Sequence, residues 1–330
     1  MGDNPGKRRR IKRKKKKYKK IITIVVLVIV LLVVGVTIGG ISYTYTLLDK
    51  VNTIEVDEQN LSVNDKLNKY DVENIALFGV DTTDGGVGRT DSIMILTIDK
   101  ERKKLKISSI MRDSYVDING HKKDKLNHAY AFGGSELAIK TLNENFDLNI
   151  KNFVSVNFST LPKIIDKLGG VELEITAEEL KLLNPLIDDM NRLNGTKVKH
   201  LNSVGIQQLN GTQAMAYSRI RYTSGGDYER TQRHRNVLNA LMGKVQNISP
   251  SKLPGLLNEL LPMVETSLTS NKILKLGGDV LSLGNLKFEQ DRFPRDGYCE
   301  GKMINGVYYL TFNKDATVNQ IHDYIVNDIK

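Results

Sequence analysis

The sequence predicts a mixed α/β fold in which helices cover both faces of a central β-sheet, preceded by one transmembrane helix. Three observations predict it: a charge-free apolar run near the N-terminus, short apolar segments bounded by Gly and Asp, and amphipathic stretches between them. Strands and helices mixed in this order form layered domains. The 330 residues are enough for one large domain or two modest ones. The lone cysteine, Cys299, excludes an intrachain disulfide, so a packed core must hold the fold.

The first 20 residues form a basic tail with 12 Lys and Arg and a single acid, Asp3. The other 310 residues carry 36 basic and 37 acidic side chains, so they are almost neutral. A folded domain that grips nucleic acid normally carries the excess positive charge itself. We therefore expect no nucleic-acid partner and interpret residues 1–20 as a cytoplasmic tail that orients the membrane helix. Docking of the tail to nucleic acid or to another protein is the alternative.

Residues 21–41 contain no charge, and 16 of these 21 residues are Ile, Val or Leu. At 1.5 Å per residue a helix of this length spans the hydrocarbon core, about 30 Å thick. The positive-inside rule places the basic tail in the cytoplasm and residues 42–330 outside the cell. We therefore predict a single-pass cell-membrane protein with an extracellular C-terminal domain. Cleavage near Gly39-Gly40, as in a signal peptide, is the alternative.

The remaining elements follow from local patterns. Residues 42–72 are polar and are predicted to form an extracellular stalk or a small helical element. Strands are predicted at 74–79, 92–98, 105–110, 153–156, 171–175, 286–293 and 307–312. Helices are predicted at 126–132, 135–146, 161–168, 212–218, 229–246, within 250–282 and at 315–329. Residues 177–201 are interpreted as an excursion or lid. We divide the extracellular part into a catalytic domain, 73–248, and a completing C-terminal segment, 249–330.

Charged residues stand at the ends of three predicted strands. Asp81 follows the first, Arg89 and Asp91 precede the second, and Arg112 and Asp113 follow the third. A charge beside an apolar strand is costly unless it is paired or functional, and loops at strand ends commonly carry sites. Carboxylates such as Asp81 and Asp91 are oxygen ligands suited to Mg²⁺. Taken singly, each residue could instead be a turn, a cap or a solvated surface group.

A second basic cluster lies between positions 200 and 243, where there are five arginines and no lysine. Planar, bidentate recognition of phosphate or carboxylate favours arginine over lysine, whereas solubility alone does not. A solvated helix face is the alternative. The five residues are Arg219, Arg221, Arg230, Arg233 and Arg235.

Eight motifs, in order between about residues 74 and 248 and behind an N-terminal anchor, resemble the LytR-CpsA-Psr family. They are the strand 74–80 with Asp81, Arg89-Thr-Asp-Ser-Ile-Met-Ile95, Ser109-Ile-Met-Arg-Asp113, Lys125-Leu-Asn-His-Ala-Tyr130 with Gly133-Gly134, Leu168-Gly-Gly-Val-Glu172, Leu209-Asn-Gly-Thr-Gln-Ala214, Tyr217-Ser-Arg-Ile-Arg221 and Gly226-Asp-Tyr-Glu-Arg-Thr-Gln-Arg233. Three positions differ from the family pattern: Thr83 stands where Arg is frequent, Met111 replaces a Pro, and His234 replaces a common Gln.

The resemblance implies a Gram-positive cell-wall phosphotransferase. Such an enzyme moves a glycopolymer, for example wall teichoic acid or capsule polysaccharide, from a polyprenyl-pyrophosphate carrier to peptidoglycan. By motif, Asp81 and Asp91 would hold Mg²⁺ or Mn²⁺. His128 belongs to one of the motifs, and we expect it to be a structural imidazole bonded to the backbone, with a catalytic base as the alternative. The implied pyrophosphate-binding residues are Arg89, Arg112, Lys125, Arg219, Arg221, Arg230 and His234, and the implied catalytic residues are Asp91, Arg112, Arg219 and Arg221.

Two other classes of function are consistent with the residues. One is a membrane-associated transcriptional attenuator or regulator, although the predicted topology keeps the folded domain away from the chromosome. The other is a non-catalytic module that holds anionic wall polymer. That module would still bind polymer after loss of Asp81 and Asp91, whereas an enzyme would lose turnover. Asp91 is only a candidate for the general base of the transfer.

Overall fold

The computed structural model describes residues 48, 50–81, 88–157, 161–220, 233, 236, 237, 240, 253–283 and 287–330. They fall into two compact units: the sheet unit, residues 48–157 and 257–330, and the helical unit, residues 161–256. Within these ranges no helix combines the length and apolar character needed to cross a membrane. The predicted span, residues 21–41, lies outside them and stays a sequence prediction.

A seven-stranded mixed sheet forms the centre of the sheet unit. In spatial order its strands are β1 (Asn52–Thr53), β10 (Val264–Thr266), β7 (Asn152–Asn157), β2 (Val72–Asp81), β3 (Arg89–Asp99), β4 (Lys104–Ile110) and β11 (Lys287–Phe293). Strands β2, β3 and β4 form an antiparallel meander, while β7 and β11 lie parallel to β2 and β4. The predicted mixed α/β class with a central sheet is confirmed, but β10 was not predicted.

Seven α-helices are described in these ranges: α1 (His128–Phe146), α2 (Leu161–Lys167), α3 (Ala177–Asn194), α4 (Gly211–Arg219), α5 (Leu253–Leu260), α6 (Ser270–Ser282) and α7 (Lys314–His322). Helix α1 is interrupted at Gly133 and Gly134, whose φ and ψ are not helical, so its two halves match the two predicted segments. Buried side chains of α1 and α7 share one core with the sheet residues Phe78, Ile95 and Phe293. Burial of this apolar surface is the main force that holds the helices on the sheet.

Residues 50–71, within the segment predicted as a stalk or small helical element, pack into the sheet unit. They contain β1 and two short 3₁₀ helices, Glu58–Asn60 and Asp65–Lys69. Leu61 and Leu67 are buried in the core that α1 covers. The chain therefore becomes part of the fold within a few residues of Leu48, which is itself buried.

Two small antiparallel ribbons complete the sheet unit. The first pairs β5 (Tyr115–Val116) with β6 (Asp124–Lys125), and the second pairs β12 (Cys299–Ile304) with β13 (Val307–Phe312). The N–H of Leu310 donates to the carbonyl of Asp113 at 2.8 Å, which fastens the second ribbon beside the end of β4. Strand β12 lies between the predicted strands 286–293 and 307–312 and was not predicted.

Most of residues 177–201, interpreted from the sequence as an excursion or lid, is helix α3. Thr176 and Glu179 form a reciprocal capping box at its start, and Gly195 ends it with a φ of 63°. The strands before and after α3, β8 (Val171–Ile175) and β9 (Gly205–Leu209), pair with each other as an antiparallel ribbon. Of the predicted helix 229–246 only four residues are described, and all four are helical.

Candidate active site

The ends of three strands meet at one end of the sheet, which we call the site end. Asp81 closes β2 and lies directly opposite Arg89, the first residue of β3. Strand β4 also ends here, and β11 ends beside it with Phe293 opposite Ile110. The motif residues Asp81, Arg89 and Asp91 are therefore brought together by antiparallel pairing, although the side chain of Asp81 is not described.

Asp91 occupies a β-bulge. Gly79 pairs with Ser92 and Val80 with Thr90, so Asp91 is the extra residue of β3 between two ladder pairs. A bulge leaves one residue unpaired and redirects its side chain, and such features are frequent beside active sites. Here the redirected Asp91 carboxylate reaches the guanidinium of Arg112, just beyond the end of β4, with Oδ1 2.5 Å from Nη1.

Four charged side chains form a row at the site end: Asp91, Arg112, Asp113 and Lys125. The buried Asp113 lies between the two cations, with one carboxylate oxygen 3.5 Å from Arg112 Nε and the other 2.8 Å from Lys125 Nζ. Charge-assisted contacts of this kind fix a side chain more firmly than neutral ones. We call this set the charged row. It holds two phosphate-binding candidates in defined positions before any ligand arrives.

Backbone hydrogen bonds bring the Lys125 motif to Arg112. The N–H of Leu126 donates to the carbonyl of Ser114 at 2.9 Å, and the N–H of Asn127 donates to the carbonyl of Arg112 at 3.1 Å. Tyr115 and Lys125 are paired residues of the small ribbon. These bonds explain how two motifs that are well separated in the sequence form one site.

Three buried side-chain oxygens near the charged row have no hydrogen-bond partner among the described residues: Thr90 Oγ1, Ser114 Oγ and Asn127 Oδ1. Buried polar atoms are nearly always satisfied, so these three oxygens can bond to a bound group or water at the site. No set of three or more acidic, His or Cys side chains suited to a metal occurs in the described part of the chain. Mg²⁺ needs only one or two carboxylates beside substrate phosphate, and Asp91 with the neighbouring hydroxyl of Thr90 provides such oxygen donors.

His128 is bonded to a carboxylate and not to the backbone as expected from the sequence. Its Nδ1 lies 2.7 Å from Asp124 Oδ2, while Asp124 Oδ1 accepts the hydroxyl of Tyr309 at 3.1 Å. Burial alone would raise the pKa of Asp124, but hydrogen bonds from His128, the N–H of Lys125 and Tyr309 together hold that pKa below its usual value. The Asp124 carboxylate thus anchors the start of α1 and β13 beside Lys125.

The helical unit contains the downstream arginines. Arg219 is the last residue of α4. Arg233 is buried: its Nε lies 2.9 Å from Glu179 Oε1, and its Nη1 donates to the carbonyl of Ile220 at 3.1 Å. Arg233 therefore fixes the backbone next to Arg219. Three candidates, Arg221, Arg230 and His234, lie outside the described residues.

Sequence reasoning missed the residues that position the candidates. Asp124 and His128 are four apart, a spacing that suggests contact, but this signal is weak beside a helix start. Tyr309 has no local signal, because its partner Asp124 is 185 positions away. Asp113 was noted at a strand end, but its bridging position depends on the fold around Lys125.

Several known proteins are similar to this chain in sequence or in fold. The sequence profile of the LytR_cpsA_psr family matches residues 37–323. The polyisoprenyl-teichoic acid--peptidoglycan teichoic acid transferase TagU of Enterococcus faecalis is 32% identical over 263 residues, 78% of this chain and 80% of that protein. Regulatory protein MsrR of Staphylococcus aureus is 33% identical over 260 residues, 77% of this chain and 74% of that protein.

The fold is similar to that of a solved bacterial structure with a bound lipid. YwtF (TagT) of Bacillus subtilis, with bound octaprenyl pyrophosphate lipid, superposes with a TM-score of 0.55 at 25% identity and covers 78% of this chain and 90% of that one. The likeness thus extends over both the sheet unit and the helical unit.

Proposed function

Because this chain belongs to the LytR-CpsA-Psr family, we propose that it is a membrane-anchored phosphotransferase that attaches an anionic glycopolymer to peptidoglycan. The donor in this proposal is a glycan on a polyprenyl-pyrophosphate carrier, such as a wall teichoic acid or capsule precursor. The charged row at the site end is the observation that most supports it. The name of the TagU relative and the lipid bound to the YwtF structure agree with the same chemistry.

The proposed reaction exchanges one phosphorus–oxygen bond for another. A hydroxyl oxygen of the acceptor bonds to the phosphorus that carries the glycan, and the bond from that phosphorus to the bridging oxygen breaks. Polyprenyl phosphate leaves with the electron pair, and the hydroxyl proton passes to a base, for which Asp91 is the candidate. Such transfers depend mainly on positioning and on neutralising phosphate charge.

Arg112 and Lys125 have the role of neutralising the pyrophosphate. Asp91 and Asp113 hold both cations in place, so little reorganisation is needed when the donor binds. Arg89, Arg219, Arg221, Arg230 and His234 are proposed as further phosphate ligands. Asp81 and Asp91 would hold Mg²⁺ or Mn²⁺, which when bound supplies positive charge to the phosphate oxygens.

The name of the MsrR relative favours a second candidate, a regulatory protein without transferase activity. One assay separates the two. The full chain, reconstituted in lipid nanodiscs, is mixed with a synthetic lipid-pyrophosphate glycan and a peptidoglycan oligomer, with Asp91→Ala and the exposed control Asp117→Ala in parallel.

We expect product from the wild type and from Asp117→Ala, but not from Asp91→Ala, because only Asp91 belongs to the charged row. Donor binding without product from any of the three proteins would instead favour a binding module or a regulator. Equal turnover by Asp91→Ala would show that this carboxylate is not part of the site.

A further inference from the structure

The tip of the ribbon β12–β13 is apolar on both faces. Its two pairs nearest the turn are Met303 with Tyr308 and Ile304 with Val307. Met303, Val307 and Tyr308 are 66%, 42% and 46% exposed. Side chains alternate along a strand, so the first pair lies on one face of the ribbon and the second pair on the other. A ribbon that docks on a protein or a sugar needs one apolar face, whereas apolar groups on both faces suit immersion in an apolar medium.

This tip lies beside the site end of the sheet. Leu310 is fastened to Asp113, Tyr309 to Asp124, and the Lys125 ammonium lies 5.9 Å from the centre of the Tyr308 ring. From Leu310 to Val307, the residue next to the turn, the strand extends roughly 10 Å at about 3.3 Å per residue. The apolar tip is therefore a neighbour of the charged row.

Basic side chains lie beside the tip. The loop between β5 and β6 exposes Lys122 and Lys123, and the Lys123 ammonium lies 5.5 Å from the centre of the Tyr115 ring. Tyr115 packs on Tyr309 with ring centres 4.6 Å apart. Lys123 also pairs with the exposed Asp117, a surface contact that contributes little. Cations and Tyr around an exposed apolar tip are typical of contact with an anionic bilayer.

Strand β1, the first strand of the chain, begins near the site end of the sheet. Strand β1 is parallel to β10, which is antiparallel to β7, so β1 runs opposite to β2. Its first residue, Asn52, is level with Phe78, near the end of β2. The predicted span ends at Ile41, and the seven residues to Leu48 reach at most about 25 Å. The chain therefore enters the sheet from the same end as the charged row.

We infer that the tip of β12–β13, residues 303–308, is a wedge that inserts into the interface of an anionic lipid bilayer and seats the charged row at the level of lipid phosphates. The inference deepens the proposed function and rests on it, because a donor embedded in the bilayer must present its pyrophosphate at this level. Met303, Ile304, Val307 and Tyr308 enter the interface, while Lys122 and Lys123 meet the headgroups.

A fluorescence measurement tests the wedge without requiring activity. In a Cys299→Ser background, an environment-sensitive dye is attached at Met303→Cys or at the control position Glu101→Cys, and the full chain is reconstituted in anionic nanodiscs. Glu101 has a 66% exposed side chain, as Met303 does, but lies in the β3–β4 turn at the opposite end of the sheet. We expect blue-shifted emission and quenching by spin-labelled lipid at position 303 only. Equal exposure of both dyes to water would overturn the inference.

A transfer assay with two donors tests the consequence. The double variant Met303→Asp/Val307→Asp should lower kcat/KM about tenfold or more for a long-chain donor in the bilayer and leave transfer from a short-chain, water-soluble donor unchanged. The exposed Ile206→Asp, in the helical unit, is the control. Equal loss with both donors would mean that the tip binds glycan or supports the fold, against the inference. Transfer from neither donor by the wild type would refute the proposed function, and the fluorescence result would still decide the wedge.

Discussion

Replacing Arg112 by alanine should abolish most of the transfer and leave the fold intact. Arg112 is held between Asp91 and Asp113, so its guanidinium is fixed before the donor binds. Removal of one preorganised group that stabilises developing charge costs about 2.7–4 kcal/mol, or about 10²–10³ in kcat. Arg112 and Asp91 are half-buried and Asp113 is buried, and we expect the loss of both ion pairs to lower the free energy of unfolding by about 1–3 kcal/mol.

Single-turnover kinetics and thermal unfolding of the same preparation separate these two effects. Arg112→Lys keeps the positive charge but loses the planar guanidinium that binds phosphate in a bidentate way. Its transfer rate should therefore lie between those of the wild type and Arg112→Ala. Arg192→Ala, whose side chain is 78% exposed in α3, is the matched control and should behave as the wild type. A rate for Arg112→Ala within about threefold of the wild type would refute the assignment of the charged row to the reaction.

Three further changes test the groups around the site and the core. Asp113→Asn removes the charge that holds Lys125, and we expect kcat/KM for transfer to fall about ten- to a hundredfold in steady-state kinetics. Lys106→Met removes the 2.7 Å partner of the buried Asp99, which keeps Arg102 at 3.3 Å, and urea unfolding should show a loss of about 3 kcal/mol. Because the pKa of Asp124 is lowered in the folded state, its contribution to stability is present above its usual value of 3.8 and is lost as pH falls through the lowered value. In thermal unfolding, the midpoint temperature of Asp124→Asn should therefore fall less than that of the wild type when the pH is lowered from about 5 to about 2.

Much of the sheet could be predicted because its central strands are continuous apolar runs. The segments 74–79, 92–98 and 105–110 lie within β2, β3 and β4, and the charges at their ends became the site end of the sheet. The pairing of Asp81 with Arg89 follows from the meander alone. Local patterns are sufficient here because neighbouring strands are also neighbours in the sequence.

Two kinds of feature were missed: a helix with a weak apolar pattern, and contacts between residues that are distant in the sequence. Helix α3 contains Pro185 and many polar residues, so its apolar period is weak, and its capping box gives a clearer signal than its interior. In the sequence, the buried Arg233 cannot be distinguished from a phosphate-binding arginine, because its partner Glu179 is 54 positions away. The contact of Asp124 with Tyr309 requires the C-terminal ribbon to return to the site, which no local pattern shows.

The stoichiometry of products tests the central claim most directly. Full-length protein in nanodiscs is supplied with Mg²⁺, a defined lipid-pyrophosphate glycan and a peptidoglycan oligomer, and both products are quantified by mass spectrometry. The account predicts one polyprenyl phosphate released for each new phosphodiester joining glycan and peptidoglycan, and almost none of either with Arg112→Ala. Intact donor after prolonged incubation of the wild type with a glycan that it binds would contradict the claim that the charged row transfers phosphate.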